Sequence, residues 1–185
     1  MKVQPIIEMR DIRSIKRLLA DKPRDKLLFT IGCNAGLRVQ DLLALRIGDV
    51  RHLKVGDRIP VKEKKTGKSN VIIANKEIMA ALNDHLSDFK GDDEIFLFKS
   101  RKGKNYPLTT LSVTKKVKEW TSSINLKGNY GAHTLRKTWT YHQRFTFGTS
   151  FSVLSSHLNH SSPSTTMRYI GVTEAEITGA LNHCI

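Results

Sequence analysis

One stretch near the carboxyl end organises the interpretation of this chain: it reads HLNHSSPSTTMRY from His157 to Tyr169. His160 and Tyr169 are nine residues apart, which on one continuous helix would place their side chains on opposite faces. Pro163 lies between them and is typical of the first residue of a helix, with Ser162 as its N-cap. We therefore predict two short helices joined by a turn that brings His160 and Tyr169 towards one point. Alone, the pair is consistent with buried core residues as well as with a reactive site.

Charge is the strongest global signal. The 185 residues include 31 Lys and Arg against 17 Asp and Glu, a net charge of +14. Such an excess indicates a polyanionic partner, with nucleic acid favoured and an anionic membrane surface as the alternative. The basic residues are spread through the whole chain, whereas a disordered basic tail would cluster them at one end.

Other classes of protein are disfavoured by composition. No apolar run approaches the roughly 20 residues of a membrane span, so we expect no membrane partner. The cysteines are Cys33 and Cys184, without a CxxC motif, which argues against a disulfide scaffold or zinc site and for a reducing cytoplasm. The acidic residues 92–94 are adjacent, so their side chains diverge, and no second acidic cluster supports a metal site there.

The hydrophobic pattern predicts an α+β fold that is mostly α-helical, with a small antiparallel three-stranded sheet near residues 47–74. We expect one sizeable domain. Helices are predicted over Met9–Ala20 and Pro23–Ala35 (ended by Gly36), just after Arg38, after Asn75, from Thr109 or Thr110 to Ser123, after Gly131, from Phe151, and in a tail from about Ile177.

The last predicted hairpin has a basic tip, with Lys62, Lys64, Lys65 and Lys68 around Thr66 and Gly67. Such a tip is often a solvated turn. A hairpin also reaches into a DNA groove, and its flexibility would let one lysine swing into a site when substrate arrives.

Arg38 is predicted at the start of a short helix, with Asp41 one turn later on the same side. A surface ion pair explains the spacing. The position favours another explanation, since an arginine at a helix N-terminus faces the positive end of the helix dipole. A bound anion would account for it, because the helix N-terminus and the guanidinium would act together.

A second histidine–arginine pair, His133 and Arg136, lies one turn apart on a predicted helix that follows Gly128 and Gly131. This spacing is unremarkable on a surface helix, but the glycine-rich entry suits a close backbone approach. Further candidate DNA contacts are Arg101, Lys102, Lys104 and Lys137.

The candidate residues together form a set suited to cleaving a phosphodiester without a metal: Arg38, Lys65, His133, Arg136, His160 and Tyr169. Two guanidiniums would clamp the nonbridging oxygens, where negative charge grows in the transition state. Tyr169 would be the nucleophile once its proton is drawn off, and Lys65 would protonate the leaving 5′ oxygen. The histidines would orient the phosphate or accept the tyrosine's proton.

The same residues carry a resemblance to the catalytic domain of the tyrosine recombinase (phage integrase) family. The matching motifs, in order, are GLRVQDL at 36–42, KTG at 65–67, HTLR at 133–136, and LNH at 158–160 followed by Tyr169. The resemblance runs from about residue 5 to the end of the chain.

The resemblance implies a site-specific DNA recombinase, or integrase, in which Tyr169 forms a 3′-phosphotyrosine and releases a 5′ hydroxyl without ATP or another cofactor. It implies double-stranded DNA as the partner and a tetramer on DNA, which would be a monomer without it. Arg38 and Arg136 would clamp the phosphate and Lys65 would be the general acid. His133 and His160 would assist, and Asp41 would support the site by orienting Arg38 or a histidine.

The chain also departs from the family pattern. Asn159 stands where glycine is usual, and asparagine tolerates a left-handed backbone. Lys137 stands where a histidine is common. We expect a single catalytic domain over residues 1–185, without the separate N-terminal core-binding or arm domain of most family members, and hence weak, strongly salt-dependent DNA binding.

Two other functions remain open at this point: a catalytically silent DNA-binding or regulatory module of the same fold, and a type IB topoisomerase-like DNA-relaxing enzyme. The tail after Tyr169 is expected either to dock on a neighbouring protomer, as in the family, or to pack on its own core.

Overall fold

Helices dominate the computed structural model of the protein, which describes residues 2–160 and 162–170. Two strands interrupt the helices. The elements are α1 (Met9–Leu18), α2 (Pro23–Ala35), α3 (Val39–Leu42), β1 (Arg58–Lys62), β2 (Ser69–Ile73), α4 (Lys76–Leu86), α5 (Thr110–Ser123), α6 (Ala132–Phe145), α7 (Phe151–His157) and α8 (Pro163–Ile170). The chain divides into two compact units, one up to Trp139 and one from Thr140 onward.

Helix starts follow the predicted capping signals. The Asn75 side chain accepts a hydrogen bond from the Ile78 amide at the start of α4. Thr109 precedes α5 and forms a reciprocal capping box with Ser112. Pro23 and Pro163 are the first residues of α2 and α8, where the missing N–H of proline costs nothing.

The sheet is antiparallel, as predicted, but it has two strands and not three. β1 pairs with β2 in a register that sets Arg58 opposite Ile73 and Lys62 opposite Ser69. The third strand was expected in the segment before β1, which instead forms turns. Two aspartates explain this, because the Asp49 carboxylate accepts from the Arg46 amide at 2.7 Å and Asp57 accepts likewise from Lys54. Aspartate closes turns in this way and competes with strand pairing.

The core of the first unit is built around α2, which is buried along most of its length. Leu27, Leu28 and Phe29 have no exposed surface. Phe29 meets Trp120 of α5 edge to face, with ring centroids 5.9 Å apart. The position of α2 matters because Arg38 follows its end.

Gly32 in α2 and Gly36 just after its end allow a close approach of α6. A Cβ added at Gly32 would lie 2.6 Å from Cδ1 of Leu135, and one at Gly36 would lie 2.5 Å from Cε3 of Trp139. Gly36 also ends α2 with φ of 65°, as predicted, in the left-handed region that favours glycine. Gly36 is two residues before Arg38, and Trp139 is three residues after Arg136. The contact therefore joins the segments that carry the two arginines.

In the second unit, α7 and α8 are joined by a short turn. Asn159 adopts φ of 54°, which confirms that asparagine supplies the left-handed residue expected there. The His160 amide then donates to the Ser155 carbonyl at 3.0 Å and closes the turn. The tail helix predicted from about Ile177 lies outside the described residues. Among the described residues, no helix is long and apolar enough to span a membrane.

Candidate active site

Arg38 is held by a carboxylate from the β-hairpin. It is the N-cap residue of α3, with an extended backbone, and its side chain is one-fifth exposed. Its Nη1 donates to Oε2 of Glu63 at 2.5 Å, and Glu63 is wholly buried. Among the described residues, the ion-pair partner of Arg38 is thus Glu63 and not Asp41, which the sequence spacing had suggested.

Asp41 holds the same hairpin by its backbone. Its carboxylate is buried, and Oδ1 accepts a hydrogen bond from the Lys64 amide at 2.9 Å. Oδ2 has no hydrogen-bond partner among the described residues. Asp41 was expected to orient Arg38 or a histidine; its hydrogen bond goes to the hairpin backbone instead.

Glu63 connects three parts of the site and was missed by the sequence analysis. Besides Arg38, its Oε2 accepts from the Thr66 hydroxyl at 2.7 Å, and its Oε1 accepts from the Asn70 amide at 3.0 Å. A signal was present, because strand alternation buries Ile59 and Val61 and points residue 63 inward as well. The lysines on either side of Glu63 obscured this alternation of buried and exposed residues.

Lys65 lies at the exposed tip of the hairpin, as predicted. The tip is closed by hydrogen bonds from the Glu63 amide to the Lys68 carbonyl and from the Gly67 amide to the Glu63 carbonyl. Gly67 has φ of 68°, so it supplies the left-handed residue of the turn. Lys62, Lys64 and Lys68 are exposed as well, and the tip therefore presents four ammonium groups to solvent.

His133 and Arg136 lie one turn apart in α6, with opposite exposure. His133 is exposed, whereas Arg136 is only 1% exposed and is among the largest fully buried side chains. Lys137, which follows it, is half-buried. Burial lowers the pKa of Lys137, and the nearby charge of Lys2 lowers it further.

The turn between α7 and α8 brings His160 and Tyr169 into contact. Their ring centroids are 5.3 Å apart with an interplanar angle of 70°, an edge-to-face arrangement. Nδ1 of His160 lies 2.9 Å from the hydroxyl oxygen of Thr166, which is wholly buried. Thr166 was not recognised in the sequence, because a hydroxyl six residues after a histidine matches no regular spacing.

The remaining candidate DNA contacts lie on a loop before α5. Arg101, Lys102 and Lys104 are exposed there, and the base of the loop is closed by the Ser100 amide, which donates to the Tyr106 carbonyl at 2.7 Å. Within residues 2–160 and 162–170, no group of three or more His, Cys, Asp or Glu side chains is placed to hold a metal ion.

Comparison with known proteins identifies the family. The Phage integrase family model matches residues 7–176. The chain is 35% identical over 175 residues to the probable integrase/recombinase YoeC of Bacillus subtilis, covering 93% of this chain and 91% of that protein. It is 29% identical to the tyrosine recombinase XerA of Pyrococcus horikoshii, over 88% of this chain but 55% of the relative.

Solved structures show the same fold at lower identity. A crystal structure of XerA recombinase aligns over 100% of this chain and 66% of its own, with a TM-score of 0.77 and 18% identity. The XerH site-specific recombinase bound to palindromic difH substrate, a post-cleavage complex, aligns over 93% of this chain and 49% of its own, with a TM-score of 0.74 and 22% identity. The likeness confirms the mostly helical fold with a small antiparallel sheet. The family model spans most of the sequence and a relative of similar length is more than one-third identical, so this chain belongs to the phage integrase family of tyrosine recombinases.

Proposed function

We propose that this chain is a site-specific DNA recombinase that cleaves and rejoins DNA strands through a 3′-phosphotyrosine at Tyr169. The contact between His160 and Tyr169 supports the proposal most directly, because it sets a possible proton acceptor beside a possible nucleophile. Membership of the family supports the same reaction.

The tyrosine must lose a proton to attack. An unperturbed phenol has a pKa near 10, so few phenolates exist at neutral pH without help. When Nδ1 of His160 carries the ring proton, it donates to the Thr166 hydroxyl, and Nε2 is left as the acceptor for the Tyr169 proton. In that tautomer the Thr166 hydroxyl accepts the hydrogen bond from Nδ1 and orients the ring that serves as the base.

The two arginines are suited to the phosphate. Within the described residues, Arg38 uses only Nη1 to bond the protein, so its other N–H groups are available to nonbridging oxygens. Arg136 is only 1% exposed, and a charge-assisted bond from its guanidinium to a phosphate would be strong in such a desolvated setting. Both would strengthen their bonds as charge grows in the transition state. His133, exposed one turn before Arg136, would assist in binding the phosphate.

The leaving group needs a proton, and Lys65 would supply it. As Tyr169 Oη bonds to phosphorus, the bond from phosphorus to the 5′ oxygen breaks, and Nζ of Lys65 protonates that oxygen. The reverse path rejoins the strand. One phosphodiester replaces another at each step, so neither ATP nor a cofactor is consumed.

The basic residues outside the catalytic set would serve DNA binding. The lysines of the hairpin tip and the basic loop at residues 101–104 would contact phosphates, with strong dependence on salt. We propose double-stranded DNA as the substrate, with a tetramer assembling on it from protein that is monomeric in its absence. Strands would then be exchanged through a four-way junction. XerH in the structures above is bound to difH substrate.

A nicked suicide substrate tests the proposal. A nick close to the scissile phosphate releases a short 5′-hydroxyl fragment and traps the covalent adduct. We expect an adduct with the unaltered protein, none with Tyr169→Phe, and a normal amount with Tyr141→Phe, a control at a tyrosine packed on Phe145. DNA binding without any adduct would indicate a silent binding module. Relaxation of supercoils without resolution of a four-way junction would indicate a topoisomerase-like enzyme.

A further inference from the structure

We infer that Glu63 is a positioning residue that couples the phosphate-binding Arg38 to the hairpin tip that carries Lys65. The inference rests on the proposed function, since it concerns how two members of the catalytic set are held relative to one phosphate. Glu63 itself would touch neither the DNA nor the reacting atoms.

The buried charge of Glu63 is compensated on both oxygens. A carboxylate with no exposed surface is expensive unless it is paired and hydrogen-bonded. Arg38 supplies a charge-assisted bond to Oε2, the Thr66 hydroxyl a second bond to the same atom, and the Asn70 amide a bond to Oε1. One buried anion therefore fixes the guanidinium and the hairpin together.

Hydrogen bonds to other parts of the protein hold the chain on both sides of Lys65. Lys64, just before it, donates its backbone amide to Asp41 of α3. Thr66, just after it, donates its hydroxyl to Glu63. The backbone at Lys65 is thus held from two directions, while its side chain stays exposed and can follow the leaving oxygen.

This arrangement has a direct consequence for catalysis. Arg38 must bind the nonbridging oxygens of the same phosphate whose 5′ oxygen Lys65 protonates. A misplacement of about 1 Å can cost roughly a hundredfold in rate, so a rigid link between the two groups preserves that geometry. Arg38 is the fixed partner, and Thr66 is the link to the tip.

Two variants separate the links. Thr66→Val removes the bond that links the tip to Glu63 and leaves the Arg38–Glu63 bond in place. Glu63→Gln removes the charge that holds Arg38 as well. Ser69→Ala is the matched control, since it removes a hydroxyl in the same hairpin that makes no hydrogen bond among the described residues.

The readout is the rate of adduct formation on two suicide substrates, one with a normal 5′ oxygen and one with sulfur in its place. A sulfur leaving group needs no general acid, so it bypasses Lys65. We expect Thr66→Val to be slowed about tenfold on the oxygen substrate and to match the unaltered protein on the sulfur substrate. Glu63→Gln should be slowed on both, by roughly a hundredfold on oxygen and less on sulfur. Ser69→Ala should be unchanged on both.

Three results would overturn the inference. The first is equal slowing of Thr66→Val on both substrates, and the second is full rescue of Glu63→Gln by the sulfur substrate. The third is that the rates of the variants fall only in step with their loss of thermal stability. If the Glu63→Gln protein does not fold, the rates of Thr66→Val on the two substrates test the inference alone, because Thr66 lies on the exposed tip. Failure of the proposed function itself is distinct, because the unaltered protein would then form no adduct on either substrate.

Discussion

Arg38 and Glu63, 25 residues apart in sequence, form an ion pair in which the arginine side chain is one-fifth exposed and the glutamate side chain is wholly buried. The arrangement is asymmetric in a useful way. The anion is enclosed by protein donors, whereas part of the Arg38 side chain is exposed. An arginine held in this manner loses little conformational freedom when it binds, which favours pre-organised recognition of a charged group.

Asp41 supports that pair by holding the hairpin backbone. We expect Asp41→Ala to lower the free energy of unfolding by about 1–3 kcal/mol, because the Lys64 amide then loses its acceptor. Asp41→Asn keeps an oxygen at that point and should lose less. Urea unfolding measures both. Equal losses would show that the charge of Asp41, and not its hydrogen bond, is what matters.

Lys65 is the proposed general acid. Removing a general acid typically slows a reaction by about 10²–10⁴-fold, so Lys65→Ala should slow adduct formation within that range on an ordinary suicide substrate. A 5′-sulfur substrate should restore most of the rate. The exposed Lys68→Ala, at the same tip, should weaken DNA binding without a preference for either leaving atom. A sulfur substrate that fails to rescue Lys65→Ala would exclude the assigned role.

The elements that the sequence predicted well are those set by local signals. Asn75, Thr109, Pro23 and Pro163 each mark a helix start by a hydrogen bond or a fixed backbone angle within one turn. Gly36 marks the end of α2 for the same kind of reason. Such signals are complete within a few residues and need no knowledge of the rest of the fold.

What could not be predicted depends on contacts between distant residues. The ion-pair partner of Arg38 is 25 residues away, and helical spacing could offer only Asp41 as a candidate. The prediction of a third strand was wrong. Val50, Leu53 and Val55 have the composition of a strand, but Asp49 and Asp57 close turns around them. In both places side-chain hydrogen bonds, and not the local pattern, decided the structure.

Gly36 should resist substitution for two separable reasons. Its φ of 65° disfavours any side chain, and an added Cβ would lie 2.5 Å from the Trp139 ring. We expect Gly36→Ala to lower the free energy of unfolding by about 2–4 kcal/mol. Gly148→Ala is the matched control, since Gly148 has φ of 69° with nothing within 4 Å, and should lose only about 1 kcal/mol. Similar losses in the two variants would mean that Trp139 moves aside.

His85 should make stability depend on pH. Desolvation by burial lowers the pKa of His85 below its usual 6.5. The unfolded chain then binds the proton more readily than the folded one, so stability is lost as the pH falls below about 6.5. His85→Gln removes this contribution. Urea unfolding at pH 8 and pH 5.5 should show a smaller loss for the variant than for the unaltered protein, and a loss of the same size would contradict the assignment.

Thr166 should matter for catalysis more than for folding. Its hydroxyl lies 2.9 Å from Nδ1 of His160, and within the proposed reaction it orients the ring so that Nε2 can accept the Tyr169 proton. Thr166→Val has nearly the same shape but no hydroxyl, so the ring loses the hydrogen bond that orients it. We expect adduct formation to slow by about tenfold, since only part of the benefit of a positioned base is lost. Thr166→Ser keeps the hydroxyl and should restore the rate even if the lost methyl group lowers stability. If valine is tolerated and serine is not, Thr166 acts through packing, and the histidine is oriented by another group.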